Sequence, residues 1–217
     1  MESTLAFLTK RQVQVWFVLD RDERTNDDVA RIQGLAGPHA KVHILAAREL
    51  ENYLLSPPSI LEFIKLKRSL GSLPLNGSLG ESEITAAISK CAEDLKATVI
   101  FNRLQNLVCK PIRPSVSKLH TEGDAVKQLG VRLEEIRSAL ESSINELSEI
   151  YQREKTATEE LWERRRTELV PGSDLLDCIC TAFGVRFNKK AGDGARLAAL
   201  MHKSRSGKIG VKLSRLA

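Results

Sequence analysis

The sequence predicts an α/β fold: a partial parallel sheet with flanking helices, followed by a mostly helical C-terminal half with one long helix. Three observations carry this. Val13 to Leu19 is a nearly continuous run of β-branched, aromatic and aliphatic residues, the pattern of a strand buried on both faces. A second run, Lys41 to Ala46 with Val42, Ile44 and Leu45, follows one helix-length later, and strand–helix–strand order implies a right-handed parallel crossover. From Asp124 to Glu168 apolar residues recur at steps of three and four, which is helical periodicity.

Between the strands, Asn26 or Thr25 can cap a helix through about Ala36, with Asp27 and Asp28 in its first turn, where the helix dipole favours carboxylates. Gly37-Pro38 ends it. Ser56-Pro57-Pro58 opens a helix to about Leu70, with proline at the positions that lose no hydrogen bond. Gly71 to Gly80 is a Gly/Ser/Asn/Pro-rich loop. A helix from about Ser82 to Cys109 carries Ile84, Ile88, Leu95, Val99 and Leu107 on one side, and Pro111 and Pro114 break the chain after it.

The long helix carries Val126, Leu129, Leu133, Ile136, Leu140, Ile144, Leu147 and Tyr151 between Glu/Arg-rich flanks. This heptad-like stripe reads either as a coiled-coil arm and homodimer seam or as one helix packed on its own domain. Gly130 interrupts an ideal coiled coil. Pro171-Gly172 stops the helix. Ser173 is expected to cap a short one ending at Phe183 and Gly184, and a last helix runs near Gly194 to His202. The chain therefore divides into residues 1–70, a partial α/β domain; 71–120, helix and linker; 121–169, the long helix; and 170–217, a basic helical segment.

The 217 residues are 42% hydrophobic and 28% charged, as in an ordinary soluble globular protein. Aromatics are only 5%, too few for an extended base-stacking surface. No apolar stretch reaches the roughly 18 residues of a membrane span, and Met1-Glu2-Ser3-Thr4 does not open a signal peptide. A cytoplasmic location without membrane contact is the expectation. Cys91, Cys109, Cys178 and Cys180 form no C-x-x-C pair and no His stands at zinc-finger spacing from them, so a structural zinc site is not expected. A cytosolic setting implies reduced thiols, with Cys91 and Cys109 packed in helix cores. The net charge of +5 is uneven: from Val170 onward nine basic residues face three acidic ones. Arg186, Lys189, Lys190, Lys203, Arg205 and Lys208 are candidates for polyanion contact, the alternative being a solvated terminus.

Two acidic clusters follow the two strands. Asp20 and Asp22 form D-x-D directly after the first, and Glu49 and Glu51 lie shortly after the second. Ligands of open α/β sheets bind beyond the carboxyl ends of the strands. If the strands are neighbours the four carboxylates converge, and hard oxygen ligands suit Mg²⁺ or Mn²⁺. A bound ion polarises a phosphodiester and lowers the pKa of a water nucleophile. Taken singly, each pair also reads as turn or helix-start chemistry.

Phe17 to Glu23 followed by Ala47-Arg48-Glu49-Leu50-Glu51-Asn52-Tyr53-Leu54-Leu55 resembles the TOPRIM nuclease domain of overcoming-lysogenization-defect (OLD) family ATP-dependent endonucleases, with the Glu49–Leu55 segment the more family-specific half. Val170 to Leu176 and Phe183 to Asn188 also resemble that family's C-terminal part, where a lysine usually stands at Ser173. The resemblance makes residues 1–70 a partial TOPRIM-like domain. It implies a Mg²⁺-dependent (or Mn²⁺-dependent) DNA endonuclease of phage defence or DNA repair. Asp20, Asp22 and Glu51 would be metal ligands, with Glu49 as second choice, and Lys189 or Lys190 would steady charge at the scissile phosphate. The family pattern starts with a glutamate on an earlier strand, and nothing before Val13 resembles it. The G-x-x-x-x-G-K-[ST] loop of the family's ATPase half is also missing. The chain thus reads as a C-terminal piece, a split subunit or a degenerate copy, with an ABC-type ATPase domain or subunit as the implied partner. The competing reading is a catalytically inactive DNA-binding or assembly module acting with that ATPase.

Overall fold

The computed structural model describes residues 15–36, 40–71, 79–108 and 122–214, with the side chains of residues 122, 124, 125 and 204–214 outside the description. The molecule is mostly helical, with a small parallel sheet and flanking helices. It divides into two compact units: residues 1–96 with 165–217, and residues 97–164.

In the first unit, β1 (Val15–Leu19) and β2 (Ala40–Ile44) pair in parallel, in register from Val15 opposite Ala40 to Leu19 opposite Ile44. Helix α1 (Asn26–Gly34) makes the crossover and lies against β2. Thr25, not Asn26, is its cap: the Thr25 hydroxyl accepts the Asp28 N–H and the Asp28 carboxylate accepts the Thr25 N–H, satisfying two donors that a helix start leaves open. The expected burial of β1 on both faces does not hold. Trp16 and Val18 are each 61% exposed and Phe17 43%. The apolar run reflects strand propensity, but burial also needs a layer over each face, and β1 has its described partner on one side only, with Lys41 stacked over the Trp16 ring.

The core of this unit is helical. Helices α2 (Pro57–Leu70), α3 (Glu81–Asp94), α7 (Gly172–Ala182) and α8 (Asp193–Ser214) pack α2 on α8, α2 on α3 and α3 on α7. Ile60, Phe63 and Ile64 form the buried stripe of α2, and Ile84, Leu175, Ile179 and Leu197 are fully buried apolar residues of the other three helices, all essentially inaccessible. Phe63 and Phe187 add a tilted ring pair at 6.2 Å. Helix α8 runs well past the expected end at His202, and α7 starts one residue before Ser173, with Pro171 in the capping position. Ser173 is therefore free to use its polar groups elsewhere.

The expectation of reduced thiols is corrected at two cysteines. Cys91 on α3 and Cys178 on α7 are disulfide-bonded, their Cα atoms 5.9 Å apart, because the packed helices bring them within bonding range. Cys180 is a buried thiol whose pKa burial pushes up to about 12, and Cys109 lies outside the described residues. The bond closes a loop spanning 87 positions. Reduction is expected to lower stability by about 2–4 kcal/mol, read as a drop in Tm on adding dithiothreitol that the Cys91→Ser/Cys178→Ser variant does not show.

The second unit holds α4 (Lys96–Val108), α5 (Glu122–Asn145) and most of α6 (Leu147–Leu169). Two helices stand where one was expected on each side: Leu95 separates α3 from α4, and Glu146 separates α5 from α6. The second break is slight, since the Glu146 N–H still donates to the Ser142 carbonyl and the Ile150 N–H to Glu146. Arg103 ties α4 to α6 through Glu154 (3.1 Å) and the Thr158 hydroxyl (3.2 Å). Along the stripe Val126, Leu129, Leu133, Leu140, Ile144, Leu147 and Tyr151 are exposed, and Ile136 and Ile150 are half-buried. Among the described residues no helix is long and apolar enough to cross a membrane.

Candidate active site

The two loops that leave the strands come together. The Leu50 N–H donates to Asp20 Oδ1 at 3.0 Å, and the Asp22 N–H donates to the Arg48 carbonyl at 3.0 Å. Arg48 forms an ion pair with Glu23 across the same gap. The parallel register is what allows this, because both strands end at one edge.

A 3-10 turn, Leu50–Leu54, carries the second cluster. Asn52 fixes it. Its amide donates to the Thr167 and Val170 carbonyls at 2.7 and 2.9 Å, and its Oδ1 accepts the Glu49 N–H at 2.7 Å. The Tyr53 hydroxyl accepts the Ala46 and Ala47 N–H groups. Gly172 sits so close that a Cβ there would lie 2.6 Å from the Asn52 nitrogen. Backbone cannot yield cheaply, so Gly172→Ala is expected to cost about 1–3 kcal/mol, measured by urea unfolding.

Glu49 reaches the start of α7, where both the N–H and the hydroxyl of Ser173 donate to its Oε2, at 3.0 and 2.9 Å. A helix N-terminus favours a carboxylate there. Glu51 is buried. Its Oε1 pairs with Lys189 Nζ at 2.9 Å, while its Oε2 is buried without a hydrogen-bond partner. Lys189 comes from a short 3-10 turn, Lys189–Ala191, closed by Gly192 in the left-handed region at φ 80°. Asp193 holds that turn: fully buried, it accepts from the Asn188 N–H (2.8 Å), Lys67 (2.6 Å) and Arg196 (3.0 Å). Lys189's pKa is raised, first by its hydrogen bond to Glu51, against partial burial, and further by the charges of Glu51, Glu49 and Asp20. Asp20, Glu49, Glu51 and Lys189 therefore share one neighbourhood.

Asp22 turns away. Its backbone is left-handed at φ 49°, a conformation aspartate tolerates better than most residues, and its carboxylate pairs with Arg24 at 2.7 Å. Lys190, Arg186 and Lys203 are exposed. Arg205 and Lys208 lie on α8 with their side chains outside the description. Among the described residues no three His, Cys, Asp or Glu side chains stand in cation-holding geometry. The donor chemistry nonetheless suits a hard cation, and the orphaned Glu51 Oε2 is the atom such an ion would satisfy.

The sequence reading did not single out Asp193, Asn52 or Gly172 for the site. Asp193, beside Gly192 at a helix start, offered only an ordinary capping signal.

Comparison of the chain with protein-family models, with curated protein sequences and with solved structures returns no similar protein.

Proposed function

We propose that this chain is the TOPRIM-like domain of a metal-dependent DNA endonuclease of the OLD type, working as a C-terminal part or split subunit beside an ABC-type ATPase. The observation that carries the reading is the buried Glu51 carboxylate, half satisfied by Lys189 and half orphaned, next to Asp20. Asp20 and Glu51 would hold Mg²⁺ or Mn²⁺ with water completing the shell, and Asp22 would join by leaving Arg24. The ion supplies Lewis-acid activation of a phosphodiester and of a water. Lys189, freed from Glu51, offers its ammonium to the phosphate. It thereby takes the part of the lysine that the family resemblance puts at Ser173, while Ser173 here steadies Glu49. Arg186, Lys190 and Lys203 extend positive charge along the backbone of bound DNA. In a cytoplasmic setting, which belongs to this reading, Cys91 and Cys178 are held as thiols and the disulfide marks an oxidised form.

The test is nicking of supercoiled plasmid by the full chain, alone and with the ATPase, in Mg²⁺ or Mn²⁺ and in EDTA. Metal-dependent nicking supports the proposal, and salt-sensitive DNA binding without nicking in either setting overturns it. The second reading, a non-cleaving DNA-binding or assembly module, is favoured by one feature: Lys189 already neutralises Glu51, as a structural ion pair would.

A further inference from the structure

The apolar stripe on α5 and α6 belongs to no site described above. Written as heptads from Val126, the a positions are Val126, Leu133, Leu140 and Leu147, and the d positions are Leu129, Ile136, Ser143 and Ile150. All but Ser143 are apolar, and the pattern crosses Glu146, where helical hydrogen bonding continues. Strict a/d repetition is the seam pattern of a coiled coil rather than of a helix lying on a globular core. Val126 is 74% exposed, Leu133 49% and Leu147 45%, so the seam is built but not covered.

We propose that its occupant is the same stripe of a second copy of this chain, in an antiparallel coiled coil centred on Ser138. In that register Val126 meets Ile150 of the second copy, Leu129 meets Leu147, Leu133 meets Ser143 and Ile136 meets Leu140. Charge decides the direction. The antiparallel pair sets Arg132 against Glu146 of the second copy, twice by symmetry, whereas a parallel pair sets Arg132 against Arg137 twice. The antiparallel axis does bring two copies of Arg137 together, but each stands between two carboxylates of its own helix, Glu134 (2.7 Å) and Glu141 (3.8 Å), whereas Arg132 pairs with Glu135 (2.7 Å) and gains Glu146 of the second copy as a further carboxylate. Shape agrees as well. Ile144, 67% exposed, falls opposite Gly130, where a Cβ would meet nothing within 4 Å. The glycine that spoils an ideal coiled coil is thus the place that receives a large side chain. Burial of the seam residues of both copies, at roughly 80 Å² each, removes on the order of 1,000 Å² from water, the size a stable interface needs.

Sedimentation equilibrium of the full chain tests this independently of any nuclease activity. The expected mass is twice the 24.1 kDa of one chain. Leu133→Lys/Leu140→Lys, at positions exposed in the single chain, is expected to weaken association at least about 100-fold. Arg132→Glu is expected to weaken it about tenfold, and Arg132→Glu/Glu146→Arg to restore it. A wild-type mass of one chain at about 100 µM, undiminished dimer in the double lysine variant, or tighter dimer in Arg132→Glu would overturn the proposal, the last by indicating a parallel pair.

Discussion

Replacing Asp193 by alanine is expected to lower stability by about 3–4 kcal/mol and the Tm by about 10 °C. The carboxylate is inaccessible to solvent and holds three donors from three segments: Lys67 on α2, the Asn188 backbone ahead of the Lys189 turn, and Arg196 on α8 itself. Alanine leaves the Asn188 N–H without its acceptor and Lys67 without its counter-ion in a partly desolvated place, and hydrogen bonds to charged groups are the costly ones to break. The pH dependence has a definite sign. Burial pushes the Asp193 pKa up, but the hydrogen bonds from Lys67 and Asn188, with the Lys67 charge, outweigh it and hold the pKa below its ordinary value. A carboxylate with a depressed folded-state pKa contributes stability that is present above its unfolded value, about 3.9, and is lost as pH falls through the folded one. The gap in Tm between wild type and Asp193→Ala should therefore stay constant near neutrality and narrow below about pH 4. A gap that persists unchanged into strong acid would mean that Asp193 acts through packing rather than charge.

The second large effect is on the proposed chemistry. Glu51→Gln and Asp20→Asn are each expected to reduce plasmid nicking by at least about 100-fold, since each removes a cation ligand while keeping the side-chain shape. Lys189→Met is expected to lose a comparable factor by removing a charge donor at the phosphate. Folding serves as the control. Glu51→Gln and Asp20→Asn keep the side-chain shape and should unfold within a few degrees of wild type, whereas Lys189→Met leaves the buried Glu51 carboxylate without its counter-ion and is expected to cost about 1–3 kcal/mol, so its nicking is compared at a temperature where it remains folded. Nicking retained in Glu51→Gln or Asp20→Asn would remove these residues from the metal site.

Much of this arrangement is legible in the residues themselves. The two apolar runs and the intervening capped helix specify a parallel pair, and parallel pairing brings the loops after both strands to one edge. Asp20 with Glu49 and Glu51 follows from that topology alone. In the segment Glu49 to Tyr53 the side chains divide the work: Glu51 faces Lys189, Asn52 bridges to the end of α6, and Tyr53 caps two backbone N–H groups. Lys189 was one of two adjacent candidates. The 3-10 turn aims it at Glu51, a geometry that Gly192 and Asp193 impose and that sequence spacing does not encode. What stayed hidden depends on contacts between distant segments. The Cys91–Cys178 bond needs two helices to pack at a particular height, and the approach of Gly172 to Asn52 joins residues 120 positions apart. The exposure of β1 was misread for the opposite reason: strand propensity is local, whereas burial depends on the layers that cover the strand.

The most direct measurement is Mn²⁺ binding to the full chain, followed by electron paramagnetic resonance at neutral pH. One Mn²⁺ per chain is expected, lost in Asp20→Asn/Glu51→Gln and bound more tightly in Lys189→Met, where the competing ammonium is gone. No binding by the wild type, or binding that the double variant leaves unchanged, would contradict a cation site at these carboxylates.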